Sequence, residues 1–157
     1  MINKLFIFFF LICSTSISKD KIDFLIVNKE KRNIVLLKNR KVVDVYKISL
    51  GFEPIGTKVK RGDGKTPEGK YYITHKNPNS KFYLSLGINF PNQSDKKRAL
   101  QRGLNPGSDL FIHGLGKKNI LLHYFFDWTE GCIAVTNKEI EEIYGLVEPG
   151  TIIYIYA

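Results

Sequence analysis

The sequence predicts a mainly β domain with one or two helices, and three features predict it. Short runs rich in β-branched and aromatic residues recur along the chain, separated by polar or glycine-containing turns. Thirteen glycines and an aromatic fraction of 13% fit tight turns between packed strands. One segment near the C-terminus carries a full helical apolar repeat. A length of 157 residues is room for one domain. With 43% apolar and 25% charged residues, the composition excludes wholesale disorder and coiled coil.

Taken in order, Ile22–Asn28, Asn33–Leu37 and Val42–Leu50 read as a three-strand meander, with polar turns at Lys29–Arg32 and Lys38–Lys41. Val43, Val45 and Ile48 supply apolar positions of the third strand. The stretch from Gly51 to Gly69, with Gly62-Asp63-Gly64 and Thr66-Pro67-Glu68-Gly69, reads as a long loop with tight turns, shaped by Thr66 and Pro67. Lys70–His75 and Phe82–Leu86 are further strands, and His75 is expected at the surface. Asp95–Arg102 fits a short helix ended by Gly103. Asp109–Ile112 is a short strand that delivers His113-Gly114 at its end. Thr136 and Glu139 form a capping box, and Ile140, Ile143, Tyr144 and Val147 follow on one helix face. Pro149-Gly150 stops that helix, and Thr151–Tyr156 is a closing strand.

Residues 1–18 are set apart as a secretory signal peptide, with an uncleaved membrane anchor as the alternative, leaving 19–157 as the domain. Lys4 opens a basic start, Leu5–Ile12 is an apolar run too short to span a bilayer, and Ser16-Ile17-Ser18 has the small-x-small form of a cleavage site. A lipoprotein reading at Cys13 is disfavoured because bulky Ile12 precedes it. The expected location is therefore the periplasm or cell envelope, with no stable membrane span after cleavage. Removal of Lys4 leaves 23 basic against 15 acidic residues, a net +8. Basic residues are dispersed without a nucleic-acid motif, so no nucleic-acid partner is expected; an anionic wall or membrane surface fits the charge. Cleavage also removes Cys13, and an exported chain with the single thiol of Cys132 is left with either a reactive group or an intermolecular partner.

Chemistry concentrates between Phe111 and Asn137. His113-Gly114 precedes Thr129-Glu130-Gly131-Cys132 by a short span. The thiolate is the nucleophilic form of cysteine, and an imidazole can take its proton and return it to a leaving amine. A glycine directly before the cysteine lets a carbonyl approach backbone amides that could hold an oxyanion. Cys132 is otherwise a small buried apolar residue, and His113 a strand-end histidine with its bonds satisfied.

This block strongly resembles the YkuD-type L,D-transpeptidase catalytic domain, whose motif is His-Gly followed, about fifteen residues on, by Ser/Thr-His-Gly-Cys. Gly64-Lys65-Thr66-Pro67-Glu68-Gly69 is similar to the family's Thr-Pro-x-Gly element, and Gly150–Ile155 to its closing strand. Asp127–Asn137 is similar to the ErfK/YafK-like branch. The resemblance runs from about Ile22 to Tyr156. It implies a YkuD-like β-sandwich or meander with the catalytic cysteine on a loop before the C-terminal helix. It implies cleavage after the third residue of a peptidoglycan tetrapeptide stem by Cys132, with His113 as general base and acid. The Gly114 carbonyl would orient the imidazole, and the Gly131 and Cys132 amides would line the oxyanion hole. The acyl acceptor would be an amine on a second stem or on a wall-anchored protein, and no metal or cofactor is implied. Departures are Glu130, where the family commonly has histidine, and Ala134, where it often has arginine or asparagine. A carboxylate at Glu130 would raise the thiol pKa if close.

Thr129, Trp128, Glu130, Asp127 and His123 are candidates for the substrate-facing wall. His123 reads equally as a buried or lid histidine, and Asp127 as a turn residue or local cap. Lys65, Arg61 and Arg102 are weaker candidates for holding a stem carboxylate. Three other readings stay open: a carboxypeptidase or amidase of the same fold, a wall-binding module without catalysis, and a zinc hydrolase using His113, His123 and Cys132. The zinc reading lacks the tight ligand spacings of zinc motifs. A cysteine–histidine pair predicts a bell-shaped pH–rate profile.

Overall fold

An antiparallel meander opens the fold in the computed structural model, which describes residues 21–157. The expected signal peptide lies outside the described residues. Strands β1 (Phe24–Asn28), β2 (Asn33–Lys38) and β3 (Lys41–Lys47) pair in sequence order, as their alternating patterns require. Strands β4 (Gly69–Ser80) and β5 (Tyr83–Ile88) form a long hairpin. Helix α1 (Gln93–Leu100), strand β6 (Phe111–His113), helix α2 (Ile120–Phe125), strand β7 (Ile133–Ala134), helix α3 (Asn137–Leu146) and strand β8 (Ile152–Tyr156) follow.

The eight strands lie in the order β3-β2-β1-β8-β4-β5-β6-β7. The last strand is thus central: β8 runs parallel to β1 and antiparallel to β4. β4 serves two neighbours, pairing β8 along Gly69–Tyr72 and β5 beyond it, with a register shift between Ile73 and His75. Leu25, Val27, Ile34, Leu36, Ile140 and Ile143 are among the fully buried core residues. Each such side chain contributes on the order of 2 kcal/mol by leaving water.

Mainly β architecture holds, with three helices where the sequence predicts one or two. The missed helix is α2. It is six residues long, too short for an apolar repeat to register, and the side chain of Asn119 caps it by accepting from the Leu121 amide. β7 spans two residues and has no local signal. α1 begins two residues before the expected start because Asn92 and Asp95 form a capping box. β4 runs to Ser80 rather than His75. The β3 reading needs a further correction. Val42, Val43 and Val45 are 48–61% exposed on β3, the strand that ends the sheet order. Ile48 is buried as expected, and so is Tyr46, whose hydroxyl donates toward Asp44 and Glu142.

Candidate active site

Strand β6 carries His113 to its C-terminal end, and β7 runs parallel beside it with His113 opposite Ala134. Alternate residues of an extended chain share a face. Cys132, two positions before Ala134, therefore returns to the side His113 occupies, one diagonal step away. Both residues line one open cavity of about 720 Å³, with Phe82, Trp128, Thr129 and Gly131 among its other walls.

His113 is 3% exposed and closely held. Its Nδ1 lies 2.7 Å from the Gly114 carbonyl, an acceptor, so Nδ1 carries the proton and Nε2 is left as the basic nitrogen. The ring stacks on Phe82 at 4.4 Å between centroids and meets the edge of Trp128 at 5.7 Å. Burial pushes its pKa down to about 4; the Gly114 carbonyl opposes the shift, and Lys81 and Lys118 add to it. The imidazole is therefore neutral at neutral pH. Gly114 has no room for a side chain, since a Cβ there would lie 2.7 Å from Asn137 Oδ1 and 2.8 Å from the Phe82 carbonyl. Asn137, at the start of α3, fixes the segment after Gly114: its Oδ1 accepts from the Leu115 and Gly116 amides, and its Nδ2 donates to the Gly116 carbonyl.

The Cys132 thiol is half-buried and donates to the Asp109 carbonyl, 3.6 Å away. Burial raises its pKa; the Phe111 amide and Lys58 pull it down, and Asp109 and Glu130 push it further up. The resting pair is thus a neutral thiol and a neutral imidazole. Thr129 organises the loop before the cysteine. Its hydroxyl donates to the Cys132 carbonyl at 2.7 Å and accepts from the Gly131 amide at 3.1 Å. The Gly131 amide expected in the oxyanion hole is therefore already engaged, because the tight turn brings it onto the threonine side chain. Gly131 itself sits at φ +127°, and a Cβ there would lie 2.5 Å from the Lys65 carbonyl, so only glycine fits.

The other sequence candidates divide. Thr129, Trp128 and Glu130 line the cavity, whereas Asp127 and His123 do not. Asp127 instead accepts from the Leu50 amide and pairs with Arg32 at 2.8 Å, tying the aromatic segment to the sheet. His123 is buried on α2, with Nδ1 against the Ser49 hydroxyl at 3.0 Å. It stands apart from His113 and Cys132, and among the described residues no three metal-ligating side chains gather as a site. Arg61 lines the cavity, while Lys65 and Arg102 do not. Lys65 Nζ bonds the Ile55 carbonyl. Thr66 is buried and accepts from the Gly51 amide. His75 is exposed.

Sequence reading missed Lys58, Phe82 and Lys118. Phe82 and Lys118 come from separate loops, and nothing local to either marks a site residue. Lys118 lies over Trp128, 5.0 Å from a ring centroid. Lys58 is paired with Asp63 in the loop before β4, and nothing local marks it as buried.

A cysteine and a neutral histidine thus line one cleft at the β6–β7 end of the sheet. Residues 22–155 match the family described as the L,D-transpeptidase catalytic domain, YkuD, and the chain belongs to that family. It is 32% identical over 126 residues to the "Putative L,D-transpeptidase YafK" of Escherichia coli K12, covering 76% of this chain and 44% of that protein. In three dimensions it is similar to the helical cell shape determining protein Pgp2 of Campylobacter jejuni (K307A mutant), with 25% identity and a TM-score of 0.65. That match covers 87% of this chain and 47% of Pgp2. Bd1075 of Bdellovibrio bacteriovorus shares the fold at 23% identity and a TM-score of 0.62, over 87% of this chain and 48% of its own. The chain thus spans about half the length of these relatives.

Proposed function

We propose that the protein is an exported L,D-transpeptidase of peptidoglycan that uses Cys132 as nucleophile. The observation that carries this reading is the shared cavity: Cys132 and His113 both line it, and Nε2 of His113 is the basic nitrogen. The Cys132 sulfur attacks the carbonyl of the third residue of a tetrapeptide stem while its proton passes to His113 Nε2. Collapse of the tetrahedral intermediate breaks the peptide bond, and the imidazolium returns that proton to the departing D-alanine amine. A second amine, from another stem or a wall-attached protein, then releases the acyl group from Cys132 as a 3–3 cross-link or an anchored protein. Export is supported by the signal-like residues 1–18 and by the substrate class of the family. A part in setting cell shape is in keeping with the description of Pgp2. Among the described residues no helix is long and apolar enough to cross a membrane.

Intact-protein mass spectrometry after incubation with a disaccharide-tetrapeptide tests this. The expected product is a covalent adduct on Cys132, lighter than the whole substrate by D-alanine, and absent from Cys132→Ala. Wild-type protein that binds the muropeptide and never forms the adduct would make it a binding module instead. New 3–3 dimers in the supernatant mark transfer, and shortened stems alone mark a carboxypeptidase.

A further inference from the structure

Four cations line the active-site cavity, Lys58, Arg61, Lys81 and Lys118, and only Lys58 is buried, at 6% exposed. A buried ammonium needs a partner. Its partner is Asp63, also buried, at 2.8 Å. Asp63 is itself saturated with donors, accepting from the amides of Val59, Lys60 and Lys65. Burial opposes ionisation of Asp63, but Lys58 and these amides outweigh it and hold the carboxyl below the ordinary carboxylate range. Loop 58–65 is therefore a rigid turn built around one carboxylate, and it presents one ammonium to the cavity.

The ammonium points at the reacting centre. A Cβ placed on Gly131 would lie 3.5 Å from Lys58 Nζ, so the charge sits against the residue directly before the nucleophile. Asp63 takes one of its three N–H donors, and among the described residues the side chain has no other hydrogen-bond partner. Meanwhile the Gly131 amide is committed to Thr129. The site holds a sulfur able to attack a carbonyl, one engaged amide, and beside it a preorganised cation that spends one N–H on Asp63 and keeps two.

Building on the acyl-transfer reading above, we propose that Lys58 is a catalytic residue that donates a hydrogen bond to the oxyanion formed when Cys132 attacks a carbonyl. The carbonyl π pair moves onto oxygen as the S–C bond forms, and Lys58 keeps its proton throughout. When the pair returns, the C–N or C–O bond to the leaving group breaks. Asp63 is the positioning residue that aims the ammonium.

Two electrophiles separate this role from a structural one. 4-Nitrophenyl acetate acylates through an oxyanion; iodoacetamide alkylates the thiolate without one. Lys58→Met is expected to slow the nitrophenol burst about 10²- to 10³-fold, as for loss of one oxyanion donor. The limiting alkylation rate of Cys132 at high pH should stay within about threefold of wild type. Equal losses with both reagents would show a disrupted loop and overturn the proposal, as would an unchanged burst. Should Lys58→Met not melt cooperatively, Lys58→Met/Asp63→Asn removes both charges together and carries the same comparison. With the disaccharide-tetrapeptide, a raised KM at unchanged kcat would make Lys58 a substrate-carboxylate ligand and also overturn it. If the wild type ignores the stem peptide while Lys58→Met still loses the acetate burst, the stem-peptide reading falls and the role of Lys58 stands.

Discussion

His113 commits one ring nitrogen to the Gly114 carbonyl, and that bond with the burial around it sets the proton inventory of the site. With the imidazole neutral down to about pH 4 and the thiol held above its ordinary range, the proposed reaction starts from a neutral thiol and a neutral imidazole. The expected pH–rate profile is accordingly a broad plateau, with an acid limb near pH 4 and a basic limb above the ordinary thiol pKa of about 8.5. Stopped-flow acylation across pH 3–10 checks it; a narrow bell centred near neutrality would contradict the geometry. The same histidine is linked to stability. Its folded pKa of about 4 lies below the unfolded value of 6.5, so between those pH values the unfolded chain binds a proton that the native one refuses. Stability is complete above pH 6.5 and falls as pH drops toward 4, by at most about 3 kcal/mol from this group. His113→Gln should flatten that part of a denaturant-midpoint series and slow acylation by about 10²-fold or more.

At the scale of elements, the turn between β7 and α3 does two jobs with adjacent residues. Thr136 caps the helix, with Glu139 completing the box, and Asn137 clamps the chain behind His113-Gly114. Thr136→Ala should cost about 1 kcal/mol in urea unfolding with catalysis nearly intact. Asn137→Ala should instead lower kcat by about tenfold or more, since it frees the segment whose carbonyl orients the imidazole. Equal effects of the two variants on kcat would dissolve that distinction. The neighbouring strands β2 and β3 make a second contrast. Ile34→Ala on β2 removes a fully buried side chain and should cost 2–5 kcal/mol (roughly). Val43→Thr and Val45→Thr on exposed β3 should each stay within about 0.5 kcal/mol.

Over the whole molecule, β8 is the strand that joins the two parts of the sheet. β8 lies between β1 and β4, so removing residues 152–157 should leave no cooperative thermal transition, whereas a surface strand at that position could be lost with little effect. What could be read along the chain follows from this arrangement. The strands, the capped C-terminal helix and the choice of His113 and Cys132 as candidates that share a cavity were legible because each rests on local signals: alternation, a capping box, and residue types whose chemistry is distinctive at short spacing. Six-residue α2 and two-residue β7 left no period to detect. Burial could not be read either, because on β3 Tyr46 is covered and its neighbours Val43 and Val45 are not, and what packs across a strand face is a property no local pattern carries. Nor could roles that depend on contact. Asp127 and His123 lie near Cys132 in sequence, yet they are drawn to Arg32 and Ser49 in the meander. Lys58, far from it in sequence, is folded against Gly131. The amino-acid order alone determined the longer strands, the capped C-terminal helix and which two side chains are the candidates for the reaction. The tertiary structure decided which charges and amides surround them, because those neighbours come from loops that only long-range pairing of β8, β4 and β6 brings together.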